Sequence, residues 1–260
     1  MYTAIIQARM DSRRLPGKVM KKIEGKPLLF YVIKQTLASK LINDVIIATS
    51  TSPKDKIIAD YCKDNKINCY RGSHNDVLDR FYKTAKKFKC NPIIRISADS
   101  PLIDPKIIDK VLNKFLNNSF DYVSNNIEKN DHIWEDSPCN YPVGTVIEIA
   151  SFKALKLSWK KAKESFEREH VFPFIQSHPE IFKISSVKSH NNYSHIRITV
   201  DNKQDLKFVR EIYARISNNK NVITINDLNQ IVSKEPSLLK INENKDFDKR
   251  FKKTLLMKGH

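Results

Sequence analysis

The sequence predicts an α/β fold with a mostly parallel sheet covered by helices on both faces. Three observations carry that prediction. Over roughly the first 125 residues, short apolar runs alternate with stretches whose apolar residues recur at helical spacing. The connections between them are short, as in βα units. The apolar runs are nearly continuous rather than alternating with polar residues, as strands buried on both faces require.

The elements follow in order. "YTAIIQA" (2–8) reads as a strand, and "KPLLFYVIKQTLASK" as a helix with Pro27 in its first turn. "NDVIIATS" is a buried strand. "SPKDKIIADYCKDN" is a helix, with Ser52 as N-cap and Pro53 at the first helical position. "INCYRG" (strand), "NDVLDRFYKTAKKF" (helix), "NPIIRISA" (strand) and "DPKIIDKVLNKFLNN" (helix) continue the alternation. Asp104 is the expected cap of that last helix, rather than a ligand, and "FDYVSNN" is the next strand.

The pattern then loosens. Residues 127–142 are polar and Pro-containing, and are read as a loop excursion. "GTVIEIAS", "IFKISSVKS" and "SHIRITV" read as strands. "SFKALKLSWKKAKE" and "NKQDLKFVREIYARIS" read as helices, and "SFEREHVFPFIQSHP" as a helix interrupted near Pro173. One compact unit over 1–220 with a C-terminal helical appendage over 221–260 is the simplest partition.

Composition narrows the function. No apolar run reaches the ~20 residues of a membrane span, and the N-terminal residues lack the pattern of a signal peptide. The four cysteines show no C-x-x-C pair or zinc spacing, so reduced thiols and a cytoplasmic location are expected. The net charge of +17 raises nucleic acid as a partner. The lysines are nevertheless spread along helical faces such as "KTAKKFK" and "WKKAKE", which fits solvated surface charge better than a binding patch.

In an open parallel sheet, ligands bind beyond the carboxyl ends of the strands. The first such loop is "QARMDSRRLPGK", with three arginines and a lysine in residues 7–18. Asp99 and Asp201 follow later strands. A basic loop facing carboxylates is what a phosphate together with a divalent cation requires. Neither G-x-x-x-x-G-K-[ST] nor G-x-G-x-x-G occurs, and the chain has five glycines. That argues against a Walker NTPase or a standard NAD enzyme, and for a loop that holds phosphate mainly by side chains.

The stretch "IIQARMDSRRLPGK" resembles the signature A-R-x-x-S-x-R-L-P-G-K of the sugar cytidylyltransferases, which include the CMP-Kdo synthetases, the acylneuraminate cytidylyltransferases and the SpsF-type spore-coat polysaccharide branch. Ala8, Arg9, Ser12, Arg14, Leu15, Pro16, Gly17 and Lys18 match it. "RGSHNDVLDRF", "RISADSPLIDP", "DYVSNN", "FEREHVFPFI" and "SHIRITVDNKQDL" fit in order, and "LLKIN" extends the likeness into the tail.

The resemblance implies a Rossmann-like domain of the nucleotide-diphospho-sugar transferase type. It also implies transfer of CMP from CTP to a sugar or sugar acid for surface polysaccharide, with release of pyrophosphate and dependence on Mg²⁺. By the same resemblance, Arg9, Arg14 and Lys18 are catalytic and hold the triphosphate. Ala8, Ser12, Gly17, Arg71, Gly72, Ser73 and Asp99 contact the nucleotide, Asp99 and Asp201 bind metal, and Glu148 and His170 face the sugar. A lobe over about 140–195 is expected to bind the sugar and form a homodimer.

Two departures stand out. SpsF-like relatives commonly read "PDGLDVE" where this chain has "YPVGTVIE", so Val143 and Val146 replace two acids. This suggests a different or less polar acceptor, in a pocket to which His132, Trp134 and Glu135 of the excursion could contribute. Asp11 stands where glycine is usual, and is expected to pair with Arg13 or help hold a cation. Arg13 itself could equally be a solvated neighbour of the loop, and Asp79 and Arg80 fit a helix-surface pair. Two competing functions remain: a glycosyltransferase using a finished nucleotide-sugar, which more often relies on a D-x-D motif that "DSPLID" lacks, and a non-catalytic binder of nucleic acid or a partner protein.

Overall fold

The structure, a computed structural model, describes residues 2–126, 140–216 and 222–243. The expected excursion lies mostly outside these residues, including His132, Trp134 and Glu135. The sheet is seven-stranded and mostly parallel, in the order β5-β4-β1-β6-β8-β7-β9.

At its centre lies β1 (Tyr2–Gln7), parallel to both β4 (Ile42–Ser50) and β6 (Ile93–Ser97). Ala4, Ile5 and Ile6 are fully buried, which explains the unbroken apolar run. A two-residue ladder, β2 (Lys22–Ile23) with β3 (Lys26–Pro27), leads into α1 (Leu28–Leu37). The chain then moves outward through β4, α2 (Lys56–Asp64) and β5 (Asn68–Gly72). After α3 (Val77–Phe88) it crosses back to β6, on the other side of β1. The strand order therefore reverses between β1 and β6, and a crevice opens at such a switch point.

Beyond β6 come α4 (Pro105–Leu116), β7 (Tyr122–Ser124), β8 (Ile147–Ala150) and α5 (Phe152–Lys161). The chain continues through α6 (Ser165–His170), α7 (Pro173–Gln176), β9 (Ile184–Ser186), α8 (Lys203–Arg215) and α9 (Ile225–Lys234). β8 runs antiparallel between β6 and β7. The 140–195 segment thus contributes two strands to the main sheet.

Two cores flank the sheet. Ile6, Leu29, Val32, Ile108, Val111 and Phe208 belong to one, and Ile5, Leu78, Phe81, Leu155 and Phe172 to the other. Neighbouring β1 residues alternate between them, as pleating demands. The described part of the C-terminal segment joins the first core through Ile225, Leu228, Val232 and Leu238. Buried Gln35 clamps it, donating to Ile223 O at 2.6 Å and accepting from Ile223 N at 3.0 Å.

Several local expectations change. Asp104 caps α4 through Lys106 N at 2.7 Å, as expected, and also accepts from Ile225 N at 2.8 Å. Ser52 makes no side-chain cap, and residues 53–55 form a 3₁₀ turn before α2. The break in 165–179 falls at Val171, whose φ of 76° lies in the left-handed region, two residues before Pro173. The strand expected over 194–200 joins no ladder: residues 194–195 form a turn, and the bridge of Arg197 to Val143 is isolated. The described cysteines Cys62, Cys69 and Cys90 are free thiols. Among the described residues, no helix is long and apolar enough to cross a membrane.

Gly144 shows how tightly the 143–146 stretch is packed. Its φ is +97°, and a Cβ there would lie 2.6 Å from Thr199 Cβ and 2.7 Å from Thr199 N. Backbone cannot yield as a flexible side chain can. Strain and overpacking together predict that Gly144→Ala costs about 3 kcal/mol of stability. Urea unfolding measures this, and a loss below about 0.5 kcal/mol, the range of unremarkable surface changes, would show that the packing is not as described.

Candidate active site

The 8–18 loop leaves β1 at the switch point. Buried Ala8 keeps it on the sheet, donating to Ala48 O at 3.2 Å. Met10 O accepts from both Ser12 N (3.0 Å) and Gly17 N (2.9 Å), which closes the loop on itself. Leu15 is its buried plug. Gly17 has φ +68°, and an added Cβ would sit 3.1 Å from Met10 Cε, so glycine fits both the turn and the space. Buried Asp55 anchors the loop from outside by accepting from Met10 N at 2.7 Å.

The turn delivers Lys18 to two carboxylates. Its ammonium donates to Asp99 Oδ2 at 2.8 Å and Asp201 Oδ1 at 3.0 Å. Arg14 approaches the same Asp201 oxygen at 3.1 Å. Arg197 takes the other, at 2.6 Å, while its Nε donates to Asp205 at 3.2 Å. Asp99 and Asp201 are side by side because Val200 N donates to Asp99 O at 2.8 Å. Burial opposes charge on both partners of the central pair. The mutual attraction of Lys18 and the two aspartates outweighs it, so the Lys18 pKa is raised and that of Asp99 is lowered.

The loop after β5 forms the second wall. Arg71 spends its guanidinium on the backbone, donating to Ser50 O (3.0 Å) and Ser52 O (2.8 Å). Ser73 Oγ accepts from Asp76 N. Beneath this loop lies Arg80. Instead of a surface pair with Asp79, it is fully buried and donates to Ser73 O at 3.0 Å. Asp79 pairs with Lys83 and accepts from Trp159. The Nε and NH2 of Arg80 have no hydrogen-bond partner among the described residues. Burial, with Arg9 nearby, pushes its pKa down to about 10. Gly72 makes room for it: a Cβ there would lie 2.9 Å from Arg80 Cγ.

The third wall is β6 with β8. Arg95 reaches across to Glu148 and donates to Gln7 Oε1. Tyr122 donates to Glu148 at 2.7 Å. Glu148 is fully buried, so it meets the crevice only through Arg95. Burial and then Arg95 lower the His170 pKa, favouring the neutral ring. Arg9 lies 3.7 Å from Glu169. Asp11 does not turn to Arg13; it faces Lys54 at 3.6 Å and His74 Nε2 at 3.8 Å.

The structure therefore brings Arg14, Lys18, Asp99 and Asp201 together at one point. Arg9, Gly72 and Ser73 gather instead around Arg80: Arg9 is close enough to lower its pKa, Gly72 packs against it and Ser73 O accepts from it. Arg80, Arg95, Arg197 and His74 were not singled out as site residues by sequence. Adjacent acid and base on a helix gave the wrong signal for Arg80, Arg95 and His74 acquire meaning only through partners distant in the chain, and Arg197 pairs with Asp201 and Asp205 four and eight residues on.

The pKa directions carry a test. The lowered pKa of Asp99 contributes stability above the ordinary value near 3.8, lost as pH falls through the folded value. Lys18 contributes below 10.5, and its share is lost only at higher pH. Asp99→Asn is therefore expected to be less stable than wild type at pH 7, with the gap closing below about pH 4. Denaturant unfolding across pH 2.5–8 reads this; a gap independent of pH would contradict the ion pair.

Comparison with known proteins places this geometry. The family described as "Cytidylyltransferase" matches residues 3–214. An uncharacterized protein of Methanocaldococcus jannaschii is 35% identical over 245 residues, covering 92% of this chain and 93% of its own. The spore coat polysaccharide biosynthesis protein SpsF of Bacillus subtilis is 28% identical, covering 89% of this chain and 94% of its own. Among solved structures, a cytidylyltransferase from Leptospira borgpetersenii superposes with a TM-score of 0.84 at 27% identity, over 94% of this chain and 98% of that one. The match spans the cation loop, both aspartates and the sheet that holds them, and the chain belongs to the cytidylyltransferase family.

Proposed function

We propose that the protein transfers CMP from CTP to a hydroxyl of a sugar or sugar acid destined for surface polysaccharide, releasing pyrophosphate. The observation that carries this reading is the loop of Arg14 and Lys18 meeting Asp99 and Asp201 at the β1–β6 switch point. The acceptor oxygen attacks the α-phosphorus, the bond to the bridging oxygen of the β-phosphate breaks, and the acceptor proton passes to solvent. Arg9, Arg14 and Lys18 hold the phosphates and stabilise charge on the departing pyrophosphate. Ala8, Ser12 and Gly17 shape that loop, while Arg71, Gly72 and Ser73 present the wall against the base.

The donor set fits Mg²⁺. Asp99 and Asp201 offer hard oxygens within reach of one ammonium, and Mg²⁺ needs only one or two carboxylates besides phosphate and water. When bound there, Mg²⁺ would neutralise phosphate charge.

The acceptor side is less acidic than in SpsF-like relatives. Val143 and Val146 are partly exposed beside Gly144, which fits an acceptor with fewer hydroxyl contacts there. His170 faces it as a neutral group, and Glu148 acts on it through Arg95. Exposed Phe166 and Ile181 on the 140–195 segment support its use as a homodimer surface.

Pyrophosphate release at saturating CTP, over a panel of sugars and sugar acids, tests the reading. Turnover with at least one acceptor, abolished by EDTA and restored by Mg²⁺, is expected. Arg14→Ala should lower turnover by on the order of a hundredfold. Asp11→Gly should leave CTP affinity equal or better, because Asp11 is engaged outside the phosphate loop. No turnover with any acceptor, together with no calorimetric binding of CTP, would overturn the assignment.

A further inference from the structure

The orientation of Asp201 is set by residues that take no part in the 8–18 loop. Its Oδ2 is held by Arg197 at 2.6 Å, which leaves Oδ1 turned toward Lys18 and Arg14. Its backbone N–H donates to Asp205 Oδ2 at 2.9 Å, and so does that of Asn202 at 3.1 Å. The other oxygen of Asp205 accepts from Arg197 Nε at 3.2 Å. Asp205 is fully buried. It therefore fixes both the main chain of Asp201 and the arginine that clasps its side chain.

Asp205 and Arg197 have a further partner from the C-terminal segment. Residues Pro236–Ile241 form a 3₁₀ helix, anchored in the core by Leu238. Asn242, at its end, is 6% exposed. Its side-chain amide donates to Arg197 O at 3.1 Å and lies 3.4 Å from Asp205 Oδ1. A neutral donor is the group this position needs. It adds a hydrogen bond to a buried carboxylate that already carries its arginine, without changing the charge balance around Asp201.

We propose that Asn242, Asp205 and Arg197 form a positioning relay through which the C-terminal segment aims Asp201 at the metal–triphosphate position. The inference rests on Asp201 being a metal-side carboxylate. Outer partners of metal ligands typically affect metal affinity by 10–100-fold.

The test compares full-length wild type, Asn242→Ala and Asn242→Asp. Affinity for Mn²⁺, used as the probe for Mg²⁺, is read by electron paramagnetic resonance with CTP present and no acceptor. CTP affinity is read separately by calorimetry in EDTA, and folding by thermal unfolding without ligand. Asn242→Ala is expected to weaken Mn²⁺ binding about tenfold. Asn242→Asp should weaken it more, because it sets a second carboxylate against Asp205. Metal-free CTP affinity should stay within about twofold for Asn242→Ala, because the relay touches no phosphate-holding side chain except through Asp201. Unchanged Mn²⁺ affinity in both variants overturns the relay. So does a loss that merely follows a lowered unfolding temperature, or one no greater for Asn242→Asp than for Asn242→Ala. A wild type that binds CTP but no Mn²⁺ rejects the metal role of Asp201 and the relay with it, leaving the nucleotide assignment standing. A wild type that binds no CTP either in EDTA or with Mg²⁺ present rejects the functional reading at its first step.

Discussion

The ammonium of Lys18 between Asp99 and Asp201 is the contact around which the rest of the molecule is arranged. Three separate stretches of chain must end at one point for it to form. β1 brings the loop, β6 brings Asp99, and the 196–200 segment brings Asp201 alongside by bonding to the Asp99 carbonyl. The parallel β1–β6 pair sets where they meet. Gly17 and Leu15 then fix how the loop turns, so that Lys18 points inward while Arg13 and Arg14 stay in reach of solvent. In the proposed reaction, nucleotide binding is an exchange of partners. Phosphate oxygens take over Lys18 and Arg14, and the released carboxylates meet the divalent cation. Such an exchange conserves charge pairing at every stage, so no buried ion need be stranded.

Arg80 makes a second layer under the same crevice. A buried guanidinium with two nitrogens unpaired among the described residues is a costly arrangement, and replacing such groups with apolar side chains is often stabilising. Stability is therefore a poor reason for its presence. Gly72 is shaped to admit it, Ser73 accepts from it, and Arg9 adds to the positive field. Arg9 and Arg80 thus bring positive charge from the loop after β1 and the helix after β5 close together. Asp11 turns away from Arg13, and its carboxylate faces Lys54 and His74.

Much of this was legible in the sequence, and the boundary is a physical one. Period and capping residues reveal local structure, so β1, β4, β5 and β6 with their helices and the Asp104 cap could be read directly, whereas the short β2–β3 ladder was not. The rule that ligands sit beyond parallel strand ends pointed to the 8–18 loop and Asp99, and Asp201 joins them although the stretch before it forms no ladder. What could not be read depends on distant partners. The antiparallel direction of β8 is set by its place between β6 and β7, not by its own apolar run. Glu148 looks like any strand carboxylate until Arg95 and Tyr122 close over it. Asp79 and Arg80 are neighbours in sequence but project to opposite environments, since successive helical residues point about 100° apart. Asn242 gains its place only when the C-terminal segment folds back onto Arg197 and Asp205.

A crystal structure of the protein with CTP is the decisive measurement. The triphosphate is expected over the carboxyl ends of β1 and β6, with Lys18 and Arg14 bound to phosphate oxygens and no longer to Asp201. A nucleotide bound elsewhere, or one bound there with the Lys18 bridge to both aspartates intact, would contradict that expectation.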